Sequence, residues 1–257
     1  MARAKVLRFA HDVALAPLFF FVTLALLSMT AHAQDAIVIG ASADRLGSGN
    51  GGSASVLWIH PRTHHTFTAG ATVFSLPDTR WAYVTAGLVR PVTARTAITA
   101  EANVGGGQDD TDNFRYLVVR GGVTRELLAK QLYAEAEWLQ ADVARRRNGI
   151  ARIGATFIPR APLTLRASVY QSIFGDDDTT FVTARGDYDF GRITAIAGFS
   201  AGNATPELLL QRGGETTRVR EAFAGVMVNT LTVIVAAGGD RQRVALSWRV
   251  ALPERSR

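Results

Sequence analysis

Between residues 158 and 192 the chain alternates twice in character. Leu163, Leu165, Ala167, Val169 and Ile173 fall on one parity, and Thr164, Arg166, Ser168 and Ser172 on the other. Beyond a Gly-Asp-Asp-Asp tip, Val182, Ala184, Gly186, Tyr188 and Phe190 oppose Thr183, Arg185, Asp187 and Asp189. A period of two with one apolar and one polar face predicts a half-buried antiparallel hairpin. Similar segments run from residue 35 to the end of the chain. They lie at 35–43, 53–60, 64–75, 80–90, 94–104, 113–124, 131–143, 149–158, 163–174, 179–190, 192–202, 217–229, 231–238 and 243–252. This predicts about fourteen strands, with twelve or sixteen also compatible. The stretch 125–147 has helix-forming composition, yet Leu132, Ala134, Ala136 and Trp138 alternate with Gln131, Tyr133, Glu135 and Glu137. It reads as a strand, and a short helical turn over 125–130 stays open.

Two kinds of connection interleave. One kind is short and often carries proline, at 61–63, 91–93, 159–162, Gly191 and Asn229-Thr230. The other is glycine-rich, charged or longer, at 45–53, 105–112, 145–148, 175–178, 203–217 and 238–241. Outer-membrane barrels keep such a parity, with short periplasmic turns and longer external loops. A soluble sandwich needs long bridging crossovers, and none is found. The fold predicted is an all-β, up-and-down antiparallel transmembrane β-barrel. A closed barrel of this size is too wide for side chains to fill, so the interior should be wet and the apolar face should meet lipid. That face carries Val84, Ala86, Leu88, Ile98, Val104, Leu117, Ile153, Phe157, Phe199, Leu246 and Trp248. Aromatic residues near segment ends (Trp58, Phe74, Trp81, Trp138, Phe157, Phe174 and Phe190) are expected to form the interfacial girdles.

The N-terminus supplies the address. Arg3, Lys5 and Arg8 precede an apolar run, and Ala31–Ala33 form a small-x-small site. This is the pattern of a secretory signal peptide over 1–33, leaving 34–257 as the barrel; an uncleaved anchor is the competing reading. Charged residues make up 19% of the chain and the net charge is +6, almost all of it from arginine, since Lys5 and Lys130 are the only lysines. The arginines are spread one or two per strand, which argues against a nucleic-acid partner. The chain has no cysteine, so neither a thiolate zinc site nor a disulfide framework is expected.

Candidate chemistry falls on the polar face. Arg120, Arg152, Arg166 and Arg185 share it with Glu135, Glu137, Asp187 and Asp189. Paired carboxylates can perform acid–base work, but on a wet barrel wall they are expected to hold the arginines. Arginine-lined walls can also set anion preference in a pore. His60, His64 and His65 cluster at a short turn with no carboxylate near them in sequence, and are read as solvated. The glycine-rich stretches lack a following helix to cradle phosphate, and the acidic tips lack the remaining spacing of a calcium loop. No metal, cofactor or catalytic role is expected.

The signal segment, the repeated alternating strands and the acidic tips together resemble Gram-negative outer-membrane β-barrels. More narrowly, "GASADRLGSGNGGSASVLW" at 40–58 and "YDFGRITAIAGFSAGNATPELL" at 188–209 are similar to the YaiO-type barrel domain associated with exopolysaccharide secretion. The resemblance implies an outer-membrane location. Its implied partners are membrane lipid, lipopolysaccharide, polysaccharide and periplasmic secretion proteins. The chain departs from the class at its end, where a basic "PERSR" stands in place of a terminal aromatic residue. Three functions are weighed: a passage for polysaccharide export or anionic solutes, a non-conducting structural barrel, and a membrane-embedded enzyme, the last argued down by the absence of a catalytic pattern.

Overall fold

A computed structural model describes residues 34–46, 49–109, 112–143, 146–175, 180–203, 218–239 and 241–252. Residues 1–33, expected to be a signal peptide, together with the acidic tip 176–178, most of the long loop 203–217 and the basic tail 253–257, lie outside the described residues. The strands are β1 (Ala36–Leu46), β2 (Gly49–Arg62), β3 (His65–Ser75), β4 (Thr79–Thr93), β5 (Thr96–Asp109), β6 (Asn113–Leu128) and β7 (Leu132–Val143). They continue as β8 (Arg146–Arg160), β9 (Leu163–Phe174), β10 (Thr180–Asp189), β11 (Ile193–Gly202), β12 (Val219–Val228), β13 (Leu231–Gly238) and β14 (Arg241–Ala251). Each strand neighbours the next in sequence, and β1 pairs with β14 from Ala36↔Ala251 to Arg45↔Gln242. The result is a closed up-and-down barrel of fourteen strands. Closure leaves no unpaired sheet edge, which is what lets β-structure cross hydrocarbon.

Exposure follows parity around the wall. On β4, Val84 is 60% exposed and its neighbour Thr85 only 5%; on β8, Ile153 is 70% exposed and Thr156 only 2%. Side chains with the parity of Val84, Val104, Leu117, Leu165, Val226 and Leu246 form a continuous apolar outer surface. A patch of this extent is not sustained against water, so its partner is lipid. Along the middle of the wall, threonines, serines, arginines and carboxylates turn inward.

Three sequence expectations need correction. The glycine-rich stretches are largely strand, since β1–β2 and β5 run nearly to their tips; the longer connections concentrate at 175–179 and 203–218. Residues 125–128 continue β6, so no helical turn forms before the bend at 129–131. Lastly, Phe74 and Trp81 do not join the girdle. They are 8% and 7% exposed and face the lumen, whereas Trp58, Trp138, Phe157, Phe174 and Phe190 do face outward.

Candidate functional site

The lumen has two kinds of lining. Toward the loop end, Phe74 of β3 stacks on Trp81 of β4 with ring centroids 4.3 Å apart and planes 4° from parallel. Phe74 also lies 5.8 Å from Tyr83 of β4, and Tyr83 stacks on Tyr116 of β6 at 4.9 Å and 7°. Between β4 and β6 runs β5, whose inward positions at this level are Gly105 and Gly107. They are glycine for a steric reason. A Cβ on Gly105 would fall 2.8 Å from Tyr83 Cβ, and one on Gly107 would fall 2.5 Å from Phe114 Cζ. The missing side chains let rings from both neighbouring strands close over β5. Val118, Leu139, Ala141, Val143 and Ile150 extend the cluster across β6, β7 and β8. This part of the interior is packed apolar surface, contrary to the expectation of a uniformly wet lumen.

Below it lies a belt of charge. Arg152 of β8 donates from Nη2 to Glu135 Oε2 (2.7 Å), from Nη1 to Glu137 Oε2 (3.1 Å) and from Nε to Ser168 Oγ (3.1 Å). Its guanidinium also lies over the Tyr170 ring, 5.8 Å from the centroid. Thr156 Oγ1 donates to the other oxygen of Glu135 at 2.9 Å. Arg120 places Nε 3.0 Å from Glu137 Oε1 and Nη1 3.5 Å from Glu101 Oε1. Asn103 Nδ2 donates to Glu101 at 3.0 Å, and Thr85 Oγ1 donates to Asn103 at 2.6 Å. The belt is therefore continuous from β4 to β9.

Register explains the pairing. Glu101 sits directly across from Arg120, and Glu137 across from Arg152; opposite charges at such positions stabilise a sheet. Arg166 and Arg185 also face each other directly, an arrangement that repels. Asp187 resolves it, accepting from Arg185 Nε and lying 3.5 Å from Arg166 Nη1. The four arginines and Glu135, Glu137 and Asp187 thus lie where the alternation put them. Asp189 does not join them. As the last residue of β10 it is exposed and accepts from the Gly191 amide at 2.7 Å, capping the turn.

Alternation alone did not single out Glu101, nor a second cluster at the seam. There, Asp44 of β1 accepts from Nε of both Arg241 and Arg243 of β14, at 2.9 Å each. Sequence reasoning also found no carboxylate for His60. The fold supplies Asp35, whose Oδ1 lies 2.7 Å from His60 Nδ1. Both have outward parity at the turn-side rim, away from the lumen. A recess in the lumen wall is lined by Thr68, Thr99, Glu101, Arg120, Glu137 and Arg152 among others. Among the described residues, no group of three or more acidic or histidine side chains is positioned to hold a metal ion.

No protein-family model matches the chain, and no curated protein matches its sequence. Solved structures match its shape. The TodX deltaS2S3 mutant monoaromatic hydrocarbon channel superposes with a TM-score of 0.65 at 10% identity, over 86% of this chain and 91% of that one. The fold is that of an outer-membrane β-barrel. The CymD monoaromatic hydrocarbon channel matches at 0.63 and 9% identity over 95% of both chains. A bacterial polysaccharide outer membrane secretin matches at 0.50 and 11% identity, over 87% of this chain and 100% of its own.

Proposed function

We propose that this barrel is a passage through the outer membrane for small, mainly apolar solutes, with ring compounds foremost. The observation that carries the reading is the stacked layer of Trp81, Phe74, Tyr83 and Tyr116 on the lumen wall. A planar solute sliding past such a layer gains about 0.5–1.5 kcal/mol per ring contact beyond area burial. That is enough to favour entry and too little to trap the solute, which is what conduction requires. Two of the matched structures are monoaromatic hydrocarbon channels, which supports the same cargo class here. The charge belt does not favour anions by net charge, because Arg120, Arg152, Arg166 and Arg185 are balanced by Glu101, Glu135, Glu137 and Asp187. The belt carboxylates serve as ion-pair partners, which supports a passage rather than a catalyst.

Polysaccharide export, the function associated with YaiO-type barrels, is the second reading. It is favoured by the fold match to a polysaccharide secretin and by stacked rings that also suit the faces of sugars. The test is uptake of radiolabelled toluene by Gram-negative cells with an intact lipopolysaccharide leaflet, with and without the chain. Several-fold faster uptake, reduced by Tyr83→Ala with Tyr116→Ala, is expected. Unchanged uptake together with oligosaccharide flux through reconstituted protein would transfer the assignment to the polysaccharide reading. An absence of any flux would make the barrel structural.

A further inference from the structure

The apolar outer surface ends at the loop-side rim, and arginines stand at its edge. Arg45 of β1, Arg80 of β4, Arg115 of β6 and Arg220 of β12 all have lipid-facing parity and are all exposed. Arg147 on the same rim has an acidic partner, Asp142, 3.1 Å away; among the described residues the other four have none. Arg80 and Arg115 form the closest group. Arg80 is paired in register with Gln108 of β5, and Arg115 with Gly106 of the same strand. Gln108 is exposed between the two arginines, and Gly106 leaves the surface beside Arg115 bare. Below them on the same face the belt begins at once, with Val84, Val104, Leu117 and Val119.

We propose that Arg80 and Arg115, with Gln108 between them, hold the phosphorylated sugar headgroup of lipopolysaccharide against the barrel wall. Three observations converge on this ligand. Side chains at the edge of an acyl-facing belt meet headgroups rather than tails or bulk water. Guanidinium forks suit phosphate, which they bind through paired, charge-assisted hydrogen bonds, and the Gln108 amide suits a sugar hydroxyl. Finally, β4 and β6 are two strands apart, about 10 Å, so two cations are spread over a width that fits a headgroup with more than one phosphate. The longest connection, 203–218, opens from this rim, which makes it the external side, where the glycolipid resides. The inference rests on the fold and its orientation, and stands whichever cargo the lumen takes.

The same two strands supply the control. Arg90 of β4 and Arg125 of β6 are exposed on the same outer face at the turn-side rim. Purified protein in detergent is titrated with bisphosphorylated lipid A, dephosphorylated lipid A and phosphatidylglycerol, with binding read by native mass spectrometry. Wild-type protein should prefer the bisphosphorylated form. Arg80→Gln with Arg115→Gln should weaken that binding at least tenfold, about 1.4 kcal/mol, and abolish the preference. Arg90→Gln with Arg125→Gln should leave it within twofold. Equal loss in both double variants, or a wild type indifferent to the phosphates, would overturn the proposal. If the loop-side double variant does not fold, the two single variants carry the same comparison.

Discussion

Replacing Arg152 with glutamine removes the side chain that ties β7, β8 and β9 together inside the lumen. Arg152 makes two charge-assisted contacts with carboxylates and one with Ser168. Its side chain is 19% exposed, while that of Glu135, its nearest partner, is 7% exposed. Glu137 keeps Arg120, and Glu135 keeps Thr156. The loss therefore falls mainly on Glu135, left with one hydroxyl donor and with Glu137 two residues away on the same face. Breaking a buried pair by removing one partner costs about 3–5 kcal/mol. Partial exposure of Arg152 to lumen water places the expectation at the low end, about 3 kcal/mol.

Guanidinium-induced unfolding from phospholipid vesicles, followed by tryptophan fluorescence, measures the loss; the heat-dependent gel shift confirms that the variant forms a barrel. Glu135→Gln in the Arg152→Gln background removes the stranded charge. The double variant should be less destabilised than the two single losses added together, by more than 1 kcal/mol for directly contacting groups. A loss below about 1 kcal/mol, with coupling under about 0.5 kcal/mol, would show that the pair is solvated and contributes nothing to holding the wall.

Leu165→Arg places a charge on the outer face and should destabilise the inserted barrel by about 2–4 kcal/mol. Thr164→Arg, inward and across from Asp187, should change stability by less than about 1 kcal/mol in the same unfolding assay. Thr156, also inward, would not serve as the control, since it is buried and bonded to Glu135. Gly107→Val forces a Cβ to within 2.4 Å of Trp81 Cβ. Overpacking of this kind costs about 1–3 kcal/mol, and the near-ultraviolet circular dichroism of the stacked rings should fall with it; an unchanged spectrum would mean the rings do not rest on β5.

The wall was legible in the sequence because a strand's period is two and a barrel has only two faces. Once Ile153 was placed outside, Arg152 and Thr156 had to be inside, and a single residue of slip would have exchanged the faces. The carboxylate partners of the arginines were legible on the same ground. The aromatic layer hides in the sequence because position along the strand points to the girdle while parity points to the lumen. Phe74 and Trp81 lie near strand ends, where girdle residues belong, yet they share the parity of Thr72 and Thr85, which marks them as lumen residues. Gly105 and Gly107 look like loop in the sequence because glycine punctuates most chains. Their reason lies on other strands, in rings at Trp81, Tyr83 and Phe114 that need the missing Cβ. Asp189 shares the parity of Asp187, but at the last position of β10 the turn amide competes for it and prevails. The contact of Asp35 with His60 joins the start of β1 to the neighbouring strand β2 across 25 residues of chain, too far apart for a search of nearby sequence to find.

The distribution of size around the lumen bears on how a solute would cross. The stacked rings and the continuous belt of ion pairs come from β3 to β10, with the aromatic cluster in the upper part of that sector, while β12, β14 and β1 bring Phe223 and the Asp44–Arg241–Arg243 group. The inward positions of β11 to β14 and β1 are richer in small residues, among them Gly198, Gly225, Ala236, Ala245, Gly40 and Ser42. In strand order these stand across the barrel from β5 to β8. These small residues face the stacked rings and the paired belt across the lumen. A solute moving along the small-residue wall would meet stacked rings first and then a belt whose charges are already paired. Displacing a paired guanidinium leaves a stranded carboxylate, so the belt resists being rearranged by an anion. A neutral, flat solute asks for no such displacement. For that reason the ion pairs and the aromatic layer act together, the one holding the wall rigid and the other supplying the contact surface.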